Sequence, residues 1–343
     1  MTLRARFFSS SVAVSLLASA LALPQLAAAA DSGYQVVARQ VLSGPVRWDY
    51  LAVDSARHHV FLTRGDHVDV FDVGTKSVIG TIQNTAGVHG VAVAAEINRG
   101  YTSNGGADTV TVFDLTTLAP LATIAVGGKP DSIVYDPASK RVFAANGKGN
   151  TLSVIDTSTN KVIKAITLAG GPETAVVNGK GQLFIALEDK NAIAVIDTVA
   201  LTVIHQYDIG ASCDEPAGLA IDAATDRLFA GCHNAKMAVI DGRTGKVLAA
   251  PTIGKGNDAT AYDPAKQRAF ASNGDGTLTV IDGVAPFNVL QTVPTMSRGR
   301  TMALDAESHQ LFVVSAEASD APPVKGRAQL KPDTFTLLTI ATE

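Results

Sequence analysis

The sequence predicts an all-β protein, a seven-bladed β-propeller of four-stranded blades in which the N-terminal strand closes the last blade. Three observations lead there. A unit of about 42 residues recurs seven times. Thirty glycines and short alternating apolar segments, with little helical periodicity, describe many strands joined by tight turns. The seventh unit stops one strand short, and a segment near the N-terminus has the pattern of the strand it lacks.

The clearest copies pair Tyr101-Thr-Ser-Asn104 with Thr109-Val-Thr-Val-Phe-Asp114, Phe143-Ala-Ala-Asn146 with Thr151-Leu-Ser-Val-Ile-Asp156, and Phe270-Ala-Ser-Asn273 with Thr277-Leu-Thr-Val-Ile-Asp282. Weaker copies begin at Phe61, Phe184, Phe229 and Phe312. The units end at Asp72, Asp114, Asp156, Asp197, Asp241, Asp282 and Thr339, with spacings of 42, 42, 41, 44, 41 and 57 residues. The long last interval holds an insertion, residues 317–332, rich in Pro, Lys and Ala, which reads as an exposed loop.

Each unit parses into four strands, in the third at 131–135, 141–145, 151–155 and 161–168. Units of this length stacked radially make propeller blades, whereas a solenoid of the same period needs end caps that are not evident. Residues 34–42 match the fourth-strand pattern and supply the missing strand, leaving no long open edge. The repeated terminal aspartates suit a structural task, accepting backbone N–H groups of the turn that follows.

Arg4 and Arg6, the apolar stretch 7–23 and Ala28-Ala29-Ala30 have the form of a cleavable leader, so residues 1–30 are expected to be a signal peptide and 31–343 the propeller. A membrane anchor fits less well, because the apolar stretch is short and runs into Pro24. Cleavage removes two of the 28 basic residues and none of the 32 acidic ones, leaving a net charge of −6. That balance exerts no general pull on nucleic acid or anionic lipid. The expectation is a periplasmic or secreted monomer without a membrane span. In an oxidising compartment Cys213 and Cys232, in loops on one propeller face, are expected to form a disulfide.

Aligning the blades brings one position at the start of the innermost strand into register: Asp49, His89, Asp131, Glu173, Ala217, Asp258 and Arg300. In a propeller this ring lies at a mouth of the central channel. The loops between second and third strands open on the same face and are expected to bring Arg64, Asn104, Asn146, Glu188, His233 and Asn273 nearby. Three readings of the ring stand open. Ca²⁺ suits oxygen ligands from Asp49, Asp131, Glu173 and Asp258 with carbonyls of Asn104 or Asn146. A site including His89 suits a transition metal. A solvated acidic mouth, partly neutralised by Arg300 and Arg64, needs no ligand. Trp48 either stacks on a ligand or packs against a neighbouring blade.

The segments Tyr101-Thr-Ser-Asn104 with Asp108-Thr-Val-Thr-Val-Phe-Asp114, and Asn146 with Asn150-Thr-Leu-Ser-Val-Ile-Asp156, resemble the YVTN-type propeller repeat. Over residues 34–340 the chain resembles the exported YncE-like proteins built from it. That resemblance implies the propeller fold and admits several functions, since the family includes surface-layer, DNA-binding and periplasmic members. Related propellers accompany haem or copper domains in redox enzymes, but neither a Cys-x-x-Cys-His motif nor a copper-ligand cluster occurs in this sequence. Nucleophile-elbow, phosphate-loop and His-Glu-x-x-His motifs are also missing from it. The leading expectation is a periplasmic binding or scaffold protein that holds a small ligand, metal or protein partner at the channel mouth. The alternatives are a metal-dependent hydrolase or lyase of the lactonase type and, by resemblance only, a single-stranded DNA binder, for which the acidic charge is unfavourable.

Overall fold

The computed structural model describes residues 1–2, 33–44, 46–323 and 328–342. The chain divides into a unit of residues 1–32 and a second of residues 33–343. The expected leader lies, beyond its first two residues, outside the described residues. The second unit is a seven-bladed propeller of four-stranded antiparallel sheets, as the repeat predicts. Innermost strands of successive blades abut in ring order, and that of blade seven (Met302–Asp305) meets that of blade one (Leu51–Asp54).

Blade three shows why the repeat folds this way. Its strands are Gly128–Asp136, Arg141–Lys148, Thr151–Asp156 and Lys161–Thr167, the sequence-predicted set with slightly longer ends. Its second and third strands are sandwiched between neighbouring blades and nearly wholly buried; its fourth is exposed except for Ile166. The core therefore lies between blades. Phe143 and Leu152 of blade three pack with Leu183 and Ile185 of blade four. One aromatic ring per blade (Phe61, Tyr101, Phe143, Phe184, Phe229, Phe270, Phe312) occupies the same second-strand position, all at 0% exposure. Each such ring contributes roughly 1.5–3 kcal/mol by burial, repeated around the circle.

The N-terminal strand Gln35–Leu42 pairs antiparallel with Phe335–Ala341, from Gln35 opposite Ala341 to Leu42 opposite Phe335. Blade seven is thus completed by the start of the propeller, as expected. Tyr34 extends the closure to blade six, edge-on to Phe270 at 5.1 Å. Gln291 brackets the Tyr34 backbone, accepting from its N–H and donating to its carbonyl, both at 2.8 Å.

The blade-ending aspartates behave as expected in five blades. Asp114 accepts from the amides of Thr116 and Thr117, Asp156 from Ser158 and Thr159, and Asp197 from Val199 and Ala200. Asp72 accepts from Thr75 and Asp241 from Arg243. Asp282 departs from the pattern. Its turn runs through Pro286, and its carboxylate receives the Arg268 guanidinium at 3.1 Å instead. The expected disulfide is formed between Cys213 and Cys232, whose Cα atoms lie 5.3 Å apart. The insertion is more ordered at its base than a plain loop: Ala318 bridges Leu330 antiparallel, and Lys331 donates to the Glu317 carbonyl at 2.8 Å. Among the described residues no helix is long and apolar enough to cross a membrane.

Candidate functional site at the channel mouth

The residues singled out by blade alignment sit where strand pairing breaks. In blades two to six the first strand carries one residue too many against its partner: between Val88 and Gly90, Pro130 and Ile133, Pro172 and Ala175, Pro216 and Gly218, and Asn257 and Ala259. His89, Asp131, Glu173, Ala217 and Asp258 lie in these bulges. A bulge turns a side chain out of the alternating pleat, and here it does so at one height in five blades. In blades one and seven, Asp49 and Arg300 precede the first strand instead. Backbone bonds tie the ring together: Tyr50 N–H donates to the His89 carbonyl at 3.0 Å and Ala259 N–H to the Arg300 carbonyl at 3.1 Å.

Three of these side chains converge. His89 Nδ1 lies 2.5 Å from Asp49 Oδ2 and 3.6 Å from Asp131 Oδ1. One ligand atom from each of the three falls within a 4.8 Å sphere of mutual distances, a spacing that suits a single metal ion. Asp258 instead meets Arg300, Nε to Oδ2 at 3.2 Å. Glu173 hydrogen-bonds Glu188, which opens the short 3₁₀ turn after the second strand of blade four. A second His–carboxylate group stands at the rim, where His233 Nδ1 is 2.8 Å from Glu215 and 3.9 Å from Glu188.

The electrostatics are those of carboxylates crowded out of water. Burial pushes Asp131 up, and the charge of Asp49 adds to it. Burial likewise lifts Asp258 to about 6, although Arg300 works in the opposite direction. Glu173 is raised well beyond the usual carboxylate range, first by burial and then by Asp131 and Glu188, so it keeps a proton. Burial pulls His89 down, but the hydrogen bond it donates to Asp49 and the charges of Asp131 and Asp49 outweigh it and raise the imidazole.

Not every residue expected near the mouth faces it. Asn104, Asn146 and Asn273 are fully buried, and their Nδ2 groups are committed within their own hairpins. Asn104 Nδ2 donates to Thr109 and Thr111, Asn146 Nδ2 to Thr151 and Ser153, and Asn273 Nδ2 to Thr277 and Thr279. Arg64 is buried at 1% exposure and serves the ring closure. It bridges to Asp69 at 2.8 Å, donates to the Ser43 carbonyl and lies over Phe335 at 4.0 Å. Its neutralising role at the mouth is therefore not supported by its position. Trp48 packs on Phe335, ring centroids 5.9 Å apart, while one face lines a mouth cavity. The five remaining histidines lie elsewhere: His58 is exposed, His59 lies 3.8 Å from Asp72, His67 pairs with Asp66, His205 stacks on Tyr207, and His309 pairs with Asp263.

Tyr50 is the residue that blade alignment did not single out. One step along from the acidic ring, the aligned residues are Gly90, Ser132, Thr174, Gly218, Ala259 and Thr301, all small, against Tyr50 in blade one. A single large residue in a ring of small ones is a signal the sequence does carry. With four of these neighbours Tyr50 lines a channel cavity of about 200 Å³, and Thr174 Oγ1 donates to its hydroxyl at 3.5 Å. Burial and the fields of Asp258, Glu173, Asp131 and Asp49 raise its phenol well above the ordinary value, so it stays neutral.

Two family models match this arrangement. One, described as "Outer membrane protein assembly factor BamB", matches residues 106–319. The other, described as "YNCE-like beta-propeller", matches residues 13–180. The chain belongs to the YncE-like β-propeller family and to the repeat-propeller family of the BamB model. No curated protein sequence matches it. Solved structures of similar fold include hydrazine synthase of Kuenenia stuttgartiensis, 16% identical, with a TM-score of 0.70 over 80% of this chain and 94% of that one. The structure of U3-55K is 8% identical, with a TM-score of 0.75 over 89% and 99%. The RRP9 WD40 repeats are 9% identical, with a TM-score of 0.76 over 90% and 100%. At these identities the likeness is one of fold alone.

Proposed function

We propose that this YncE-like propeller is an exported, monomeric binding protein whose channel mouth holds a divalent metal ion. The observation that carries the reading is the convergence of Asp49, His89 and Asp131 on one point. The ring otherwise stores unfavourable charge: Asp131, Glu173 and Asp258 all hold protons more tightly than free carboxylates. A bound cation would favour the charged forms that burial disfavours. Mixed imidazole and carboxylate donors suit a transition metal such as Mn²⁺ or Zn²⁺. Ca²⁺ fits less well, because it takes six to eight oxygens and the point of convergence offers two carboxylates and an imidazole. A disulfide and membership of this family support a periplasmic location.

Titration calorimetry of the mature chain with Mn²⁺ and Zn²⁺ tests the proposal. One saturable site is expected, lost in both Asp131→Asn and His89→Ala. Affinity should rise with pH as protons leave Asp131 and His89, both of which hold them more tightly than the free groups do. Failure of both metals to bind at pH 7.5 sinks the reading.

A further inference from the structure

The mouth has a second half of opposite charge. A cavity of about 510 Å³ is lined by Arg47, Arg298, Arg300, His233, Trp48 and Leu330, among others. We infer that it takes an organic anion, a carboxylate or phosphate joined to an apolar ring.

The three guanidiniums are under-used by the protein. Arg47 and Arg298 make no ion pair within 4.0 Å among the described residues. Arg300 meets Asp258 at Nε, and its side chain is 54% exposed, which leaves terminal N–H groups accessible to another acceptor. Arg298 is held in place by its backbone. It adopts φ +69°, with its N–H on the Gly274 carbonyl at 2.7 Å and its own carbonyl accepting from Arg300 at 2.8 Å. A non-glycine residue in the left-handed region costs energy that the surrounding loop must over-determine. On a net acidic chain, this concentration of arginines is local.

The opposite wall is apolar and supported from behind. Trp48 rests on Phe335, and Leu330 is delivered by the insertion that only blade seven carries. The paired base of that insertion, Ala318 with Leu330, fixes the residue that reaches the cavity. Inorganic phosphate would satisfy the arginines and leave the Trp48 wall unused. A ligand with both an anionic head and a ring uses both, and the cavity has room for it.

Trp48 is the only tryptophan in the chain, so its fluorescence reports on this cavity alone. The mature protein would be titrated with phenyl phosphate, benzoate, phenol and inorganic phosphate, following emission and, in parallel, heat. Saturable binding of phenyl phosphate or benzoate is expected, and the tighter of the two identifies the head group. Phenol and inorganic phosphate should each bind at least tenfold more weakly. Arg298→Ala and the double variant Arg47→Ala/Arg298→Ala should weaken binding tenfold or more without moving the thermal midpoint. Asp131→Asn, which removes a proposed metal ligand, should leave it unchanged, so the two sites stand or fall separately. No saturation by either readout, equal binding of phenol, or full binding by the double variant would overturn the inference.

Discussion

Asp258 shows how a single residue ties the mouth to stability. Folded, it gives up its proton only at about pH 6; unfolded, an aspartate does so near 4. Between those values the folded chain holds more protons than the unfolded one, so stability falls as pH rises through the window. Asp131 and Glu173, also raised, act with the same sign, and so does His89, whose protonated form is favoured by folding. Replacing Asp258 with Asn should therefore stabilise the metal-free protein by about 1–2 kcal/mol at pH 8 and hardly at all at pH 4. Urea midpoints at the two pH values check this; equal shifts at both would show that the ring charge is not the cause. Residue identity in the ring was legible because seven copies of one unit can be laid over each other. Side-chain direction was not. Asn104 and Arg64 occupy positions equivalent by count to mouth residues, yet one folds back on Thr109 and Thr111 and the other turns towards Phe335. A local partner decides each case, the hydroxyls of Thr109 and Thr111 for Asn104 and the Asp69 carboxylate for Arg64, and periodicity alone does not mark it.

At the scale of elements, blade five is the one stapled covalently. Cys213 lies in the loop entering it, and Cys232 ends its second strand. Both are fully buried, packed with Leu219 and Leu228. The bridge closes a separation of 19 residues and restricts the unfolded chain, a contribution of up to ~3 kcal/mol in the chain-entropy picture. The Cys213→Ser/Cys232→Ser variant should lower the urea midpoint accordingly. It should also loosen the adjoining rim, where Glu215 and His233 follow the two cysteines closely in sequence. Hydrogen exchange confined to residues 211–235 would be the local signature, and an unchanged midpoint would show that the bridge is energetically idle. The pairing could be anticipated because propeller topology puts both loops on one face. The exception at Asp282 could not, since its turn differs from the others only in the path that follows it.

At the scale of the whole molecule, closure decides whether seven sheets behave as one body. Each blade buries its faces against two neighbours, so an opened ring exposes two faces at once. The strand Gln35–Leu42 prevents that by joining the start of the propeller to its end. It was legible in the sequence because the seventh unit lacked a fourth strand and residues 34–42 had the pattern to replace it. The reach of Tyr34 onto Phe270 was not, because it crosses to a blade that the repeat does not connect with this strand. Deleting residues 33–42 should therefore unravel more than one edge. It strips the Phe335–Ala341 strand of its partner and removes a ring from blade six, where losing a buried aromatic alone costs about 3–5 kcal/mol. The expected outcome is a much lower thermal midpoint, with aggregation through the freed strand edge. A circular permutant separates the strand from the chain end it happens to occupy. Gln35 pairs with Ala341, so a short turn can join residue 342 to residue 34, with a new N-terminus at residue 46. If pairing rather than chain order closes the ring, the permutant should recover a midpoint within a few degrees of the original while the deletion does not. A deletion variant that melts like the intact chain would mean the ring is held by blade packing alone.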